Sequence, residues 1–456
     1  MEEIQETFRS YYRQPAVRTR ILEFLGGISP ETATCEYITA DNAACAERRP
    51  LDPADLFARL DDGQDICRSL CDRRALIAHL DIEYVNFDFA AEPYLDPERA
   101  FDLQEPVAEA IRAILSRHGI RPLHVLSGRG HHFAWSIRRD SELFDRLRVL
   151  GGSVTNGCDQ YVPCGAELRS LGKAFAGLGL VMEYVGRLAV ALASPGCSIP
   201  VELTAVEVSP SGRGREMISI DLSEYGDPLQ MRTVRVPFGA YLKPWHQIYA
   251  MGCANMGRIG PIIFVPVDGM DTHRAVHVMR DPELAANLAK ERTTTIPDHT
   301  EGSISLLAAY ERSELKEFHA EFYAESHDPP ERWPETYDRL CLENLPEVAR
   351  NALMYPNDLL LRPVGMRAVT EALITRGWHP RHIAGLVRSK FERDYSWGNQ
   401  WNGYSPAMRA DFYVRIFACG NQCIAADADL FRLRDTAAVS VSATEALNHC
   451  NEEAPQ

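Results

Sequence analysis

Residues 75–89, ALIAHLDIEYVNFDF, alternate apolar and polar positions with period two. On an extended chain successive side chains point to opposite sides, so Leu76, Ala78, Leu80, Ile82 and Tyr84 share one face and His79, Asp81 and Glu83 share the other. Two further strands are expected at 123–127 (LHVLS) and 132–137 (HFAWSI), joined by the turn Gly128-Arg129-Gly130. Later strands fall at 201–208, 217–222 and 232–238. In the second, Ile218, Ile220 and Leu222 oppose Ser219 and Asp221. In the third, Val234, Val236 and Phe238 oppose Thr233 and Arg235.

Helical spacing appears elsewhere. Residues 1–26 form a helical stretch closed by Gly26-Gly27, a short strand lies at 35–38, and 50–74 is expected to be mostly helical. Residues 103–118 carry Val107, Ile111, Ile114 and Leu115 on one helical face and stop at Gly119. From about residue 276 the pattern turns helical. A proline-rich linker, HDPPERWPE (327–335), interrupts it, and 336–417 holds several short helices with aromatic residues between them. The class is α+β, with a polar tail at 436–456 expected to be poorly ordered.

Composition adds limits. The 456 residues, 45% hydrophobic and 25% charged, suit a globular protein of several domains. No apolar run has the length of a membrane span and the N-terminus lacks the order of a signal peptide, so a cytoplasmic location without a membrane partner is expected. The twelve cysteines are scattered, which in a cytosolic chain favours core thiols or metal ligands over disulfides. The net charge of −16 argues against nucleic-acid binding over the whole surface but leaves room for a local basic groove. Between His379 and Arg415 six Arg/Lys stand against three Asp/Glu.

The candidate chemistry lies on the polar strand faces. Asp81 and Glu83, one pleat repeat apart, bring two carboxylates together; divalent cations relieve their repulsion and serve phosphoryl transfer. In Ser127-Gly128-Arg129-Gly130-His131-His132 the glycines expose backbone N–H groups, Arg129 offers a fork for phosphate and His132 adds a donor. Asp221 would complete a cation site, and Arg235 and Lys243 would hold a triphosphate. Singly, the acidic pair is better explained as a polar strand face and the turn as an ordinary hairpin, and each piece alone is weak.

In combination, DIEYVNFD (81–88), SGRGHHFAW (127–135), ISID (218–221) and VRVPFGAYLK (234–243) resemble the archaeo-eukaryotic primase superfamily, in particular its small catalytic subunit. That resemblance covers roughly 75–245. It implies a primase core of RRM-like mixed sheets with flanking helices, Asp81, Glu83 and Asp221 as ligands of Mg2+ or Mn2+, and Ser127, Gly128, Arg129, His132, Arg235 and Lys243 as nucleotide contacts. The activity implied is DNA primase or polymerase, with single-stranded DNA template, nucleoside triphosphates and a helicase or other replication or repair protein as partners. The pattern departs from the family at Glu83, where Asp is commoner, and at Tyr241, where a histidine usually precedes the lysine. The family's small subunits often carry zinc; Cys158, Cys164 and Cys197 lack a fourth ligand, and buried thiols are the better reading.

Residues 336–435 resemble the helical domain of the primase large subunit. There Cys341, Cys419, Cys423 and Cys450 would hold a [4Fe-4S] cluster, a reading that stands level with that of unligated thiols. Arg381, Arg388, Lys390, Arg393, Arg409 and Arg415, interleaved with Phe391, Tyr395, Trp397, Trp401 and Tyr404, would hold the template or the initiating triphosphate. The expected organisation is a primase-polymerase domain at 1–275, a helical connector and linker at 276–335, the large-subunit-like domain at 336–435 and the tail. Two other functions compete: a non-catalytic nucleic-acid-binding protein of this fold, and a metal-dependent phosphoesterase. Uncompensated buried acids argue against the first, and the SGRGHH turn with the basic segment after Asp221 argues against the second.

Overall fold

The computed structural model describes residues 2–39, 50–154, 165–204, 209–211, 214–246, 259–356, 360, 362–393 and 405–420. The chain is mixed α+β. Its main sheet has seven strands: β3 (Ala75–Asn86), β4 (Leu123–Leu126), β5 (Gly130–Arg138), β6 (Val201–Leu203), β7 (Ser209–Ser211), β8 (Gly214–Asp221) and β10 (Val265–Pro266). The order is β10-β4-β5-β3-β8-β6, with β7 paired to β8. A second sheet of three strands, β1 (Cys35–Thr39), β2 (Ile66–Asp72) and β9 (Thr233–Arg235), runs in the order β1-β2-β9.

The long strand β3 lies between β5 and β8 because it is apolar enough to be covered on its core face throughout. Leu76, Ala78, Leu80, Ile82 and Tyr84 are fully buried, as the alternation requires. Beneath this face runs the helix Pro97–Arg117, which begins six residues before the apolar spacing announces it and carries Pro106 inside. Gly119 ends it with φ +73°.

Three expectations change. The stretch 50–74 is not mostly helical: only Leu56–Asp61 is α-helix, and Ile66–Asp72 is strand β2. The strand at 232–238 shortens to β9, with Phe238 at positive φ beyond it; of that at 201–208, Val201–Leu203 is β6, Thr204 has positive φ and 205–208 lie outside the described residues. Finally, the 28-residue helix Ala166–Ala193 is by length and composition apolar enough to cross a membrane, which the expectation of no such run did not allow for. Here it is a core helix, with 89% of its apolar window buried.

Contacts cross the expected domain boundaries. The helix Thr300–Tyr310 lies on β5, where the Trp135 indole donates to Ser303 Oγ at 3.0 Å and Ser136 N–H to the Pro297 carbonyl at 2.8 Å. The expected linker forms a 3-10 helix, Pro330–Glu335, with Trp333 buried. The last described helix, Pro406–Cys419, returns to the first half of the chain. Arg415 donates to the buried Glu183 carboxylate at 2.9 Å, Arg187 to the carbonyl of Ile416 at 2.9 Å, and Arg409 to Asp227 at 2.8 Å. The tail lies outside the described residues.

Candidate active site

Strand register assembles the site. Asp81 on β3 is paired with His132 on β5 and, on its other side, with Asp221 on β8. Directly opposed residues in antiparallel strands project to the same face, so His132, Asp81 and Asp221 form one row across three strands. Glu83 stands in the next row, opposite Ser219 and Gly130. Asp221, 138 positions after Glu83 in sequence, therefore joins Asp81 and Glu83 beside the SGRGHH turn.

Above this face lies a pocket of about 180 Å³. Asp81, Glu83, Asp221, Ser127, Arg129, His132, Arg235 and Lys243 all line it, joined by His79, Glu224, Arg232 and Tyr241. Four carboxylates and four cations thus meet in one cleft. Gly128 is not among the lining residues; it is buried where an added Cβ would stand 2.5 Å from the Tyr241 ring. The glycine lets the turn lie on that ring.

The acids differ in their surroundings. Burial, then the Glu83 and Asp221 carboxylates, push Asp81 well above the usual carboxylate range. Burial and Glu83 raise Asp221 as well, although Ser223 N–H donates to Asp221 Oδ1 at 2.8 Å. For Glu83, burial is outweighed by the positive charge of Arg129, with which it is ion-paired, and of Lys243, so it stays below the ordinary value. Asp81 Oδ1 is buried with no hydrogen-bond partner.

The cations are held in place. Arg235 pairs with Asp65, and its guanidinium lies 4.8 Å from the Tyr241 ring centroid. The Tyr241 hydroxyl is 3.1 Å from that of Tyr94. Arg129's charge, then burial, lowers Lys243 to about 8.

Behind the row runs a chain of polar contacts. A Glu224 carboxylate oxygen is 3.0 Å from His79 Nδ1, His79 Nε2 is 2.8 Å from His132 Nδ1, and His132 Nε2 is 3.6 Å from Asp81 Oδ1. Burial, and next the neighbouring His79, hold His132 well below the ordinary histidine value. Glu224 had no role in the motif pattern. His79 had a signal: it shares the polar face of β3 with Asp81 and Glu83.

The residues suit divalent cations in one respect and are incomplete in another. Mutual repulsion among buried acids and the orphaned Asp81 oxygen call for positive charge. Among the described residues, however, no trio of His, Cys, Asp and Glu stands in ligating geometry, and Glu83 is turned to Arg129.

The C-terminal expectations fare differently. Cys341 is exposed and Cys419 buried, while Cys423 and Cys450 lie outside the described residues, as do Cys158, Cys164, Tyr395, Trp397, Trp401 and Tyr404. Cys197 is half-buried. The arginines expected to face nucleic acid are engaged internally. Arg381 pairs with buried Asp411 at 2.6 Å, Arg388 with Glu392 at 2.6 Å, Arg393 with Asp338 at 2.8 Å, Arg409 with Asp227 and Arg415 with Glu183. Phe391 is core. This charge holds helices together; only Lys390, half-buried, has no such assignment.

Comparison with known protein families, curated proteins and solved structures yields no match to this chain.

Proposed function

We propose that the chain is a DNA primase-type nucleotidyltransferase, joining a 3′-hydroxyl to the α-phosphate of a nucleoside triphosphate on a single-stranded DNA template. The observation that carries this reading is the common pocket: three acids from two strands, the hairpin turn and the basic segment after β8 all open into it. Mg2+ or Mn2+ held by Asp81, Glu83 and Asp221 would activate the attacking hydroxyl and neutralise the leaving pyrophosphate.

The chain's own residues supply position and charge. Arg129 is held by Glu83 until a polyphosphate competes for its guanidinium. Release of Arg129 then frees the Glu83 carboxylate for the row formed by Asp81 and Asp221. Nucleotide binding and completion of the acidic site are in this way one event. Arg235, fixed by Asp65 and Tyr241, and Lys243 complete the cradle. The lining is almost wholly polar or charged, as a phosphate chain requires.

The test is incubation with a single-stranded template, labelled nucleoside triphosphates and Mg2+ or Mn2+. Extension products that vanish in Asp81→Ala are expected. Phosphate or nucleotide release without extension would point to an esterase, and template retention without turnover to a binding protein.

A further inference from the structure

We propose that Phe87 and Phe89 form a stacking platform for the unpaired bases of the strand that this active site copies. The inference rests on the polymerase reading for the identity of that strand. It moves the template from the C-terminal arginines to the far end of β3.

Strand geometry places the platform. Along β3 the even positions face the core, and Ile82, Tyr84 and Asn86 are buried. The odd positions Asp81, Glu83 and Val85, on the other face, are half-buried. Pairing with β8 runs on past the last strand residue, since Phe87 N–H donates to the carbonyl of Arg215 at 2.9 Å. Phe87 therefore continues the face that carries Asp81 and Glu83. At about 3.3 Å per residue it stands about 13 Å along from Glu83, or about four steps of a stacked strand. Phe87 is 50% exposed and Phe89 40%. Among the described residues no other phenylalanine, and no tryptophan, is exposed.

This exposure is held by a buried polar network. The Asn86 side chain accepts from Asp88 N–H at 3.0 Å and from Phe89 N–H at 2.9 Å, and donates to the buried Glu92 carboxylate at 2.6 Å. Arg99 joins Glu92 to Glu216 on β8, at 2.8 Å from each. Gly214, with φ +129°, brings the start of β8 against the same turn, where an added Cβ would stand 2.7 Å from Asn86 Oδ1. The turn is thus fixed from below while its two large apolar rings stay in water, where burial would have been favourable.

Charge identifies the occupant. Arg215, across the ladder from Phe87, is exposed and paired with exposed Asp88 at 3.0 Å. Such surface pairs are weak, so a backbone phosphate can take the guanidinium in place of Asp88. Aromatic rings beside a cation hold single strands without regard to sequence, each ring stacking on a base. An apolar protein surface laid on the same rings would have to desolvate Arg215 and Asp88 beside them.

The experiment is equilibrium binding of the full chain to fluorescent single-stranded oligonucleotides, with and without a run of abasic positions, alongside template-dependent extension and the affinity for a nucleoside triphosphate analogue. Wild type should prefer the strand that carries bases. Phe87→Ala and Phe87→Leu should each weaken single-strand binding about 5–150-fold, shrink the preference for bases and leave nucleotide affinity unchanged. Phe87→Trp should restore binding, and Phe89→Ala should act in the same direction as Phe87→Ala. Both side chains project into water, so the variants keep the fold. Single-strand affinity of the double alanine variant equal to wild type overturns the platform, and persistent extension then leaves the polymerase reading standing. Wild-type binding by Phe87→Leu overturns it too, because an apolar side chain without a ring cannot stack. A wild type that extends no template, yet shows a base preference that depends on Phe87, removes the polymerase reading and supports the platform.

Discussion

Replacing Asp81 with asparagine should stabilise the cation-free protein while abolishing its proposed activity. Asp81 is opposite Asp221 in register, and such pairs stand about 5 Å apart at Cβ. At an effective dielectric of about 20, two charges at that distance repel by ~3 kcal/mol. Arg129 offsets part of this, leaving a gain of about 1–3 kcal/mol for Asp81→Asn. With an unfolding entropy of about 2.1 cal/mol/K per residue, a chain of 456 residues rises by ~1 °C in Tm per kcal/mol, so about 1–3 °C is expected in EDTA. The direction with pH follows from the raised pKa of Asp81. Wild type loses stability as pH climbs from the unfolded value of about 3.9 through the folded one, and keeps that deficit above it. The variant's advantage should therefore grow as pH rises through the folded value and disappear toward pH 4. Mn2+ at a hundred times its dissociation constant adds about 2.7 kcal/mol to wild type alone, which reverses the ranking. Calorimetry in EDTA and in Mn2+ over this pH range is the assay. A variant less stable than wild type in EDTA near pH 7 would refute the claim that these carboxylates repel.

Two other outcomes are expected. Lys243, lowered to about 8, should regain its proton when a triphosphate binds, so affinity for a non-hydrolysable analogue should be flat below pH 7 and fall by up to about tenfold per pH unit above 8. Calorimetric titration checks this, and Lys243→Met should abolish the slope; an unchanged affinity between pH 7 and 9 in wild type sinks it. Arg415→Ala leaves Glu183, fully buried, with Arg187 as its remaining arginine and should cost about 3–5 kcal/mol in urea unfolding. A loss below about 1 kcal/mol would mean that the pair is not structural.

The central strand was legible because one of its faces is apolar and the other reactive: Asp81, Glu83 and His79 point where the alternation of residues 75–89 says they must. The turn at 127–132 and Asp221 were legible as motifs, and their convergence follows from a register that no local pattern encodes. The helix Ala166–Ala193 has no counterpart in the sequence reading because it is buried on nearly every side, which erases the polar stripe that marks a surface helix. Strand β2 lay hidden in a stretch whose charged residues suggest a helix; Arg68 and Asp72 are in fact buried partners of each other. The C-terminal arginines show the limit of counting charge: composition registers an excess of cations, but their carboxylate partners lie as far away in sequence as Glu183 and Asp227.

The tie between Glu183 and Arg415 has a temporal side. The two residues are separated by 232 positions, which a ribosome making about 5–20 residues per second needs roughly 10–50 s to add. Arg187, one turn along, can shield the acid from the start. Its second arginine, and the helix that carries it, arrive only after that interval. Throughout that interval a long apolar helix waits without this cover, and its exposed apolar face is a site of the kind that chaperones bind.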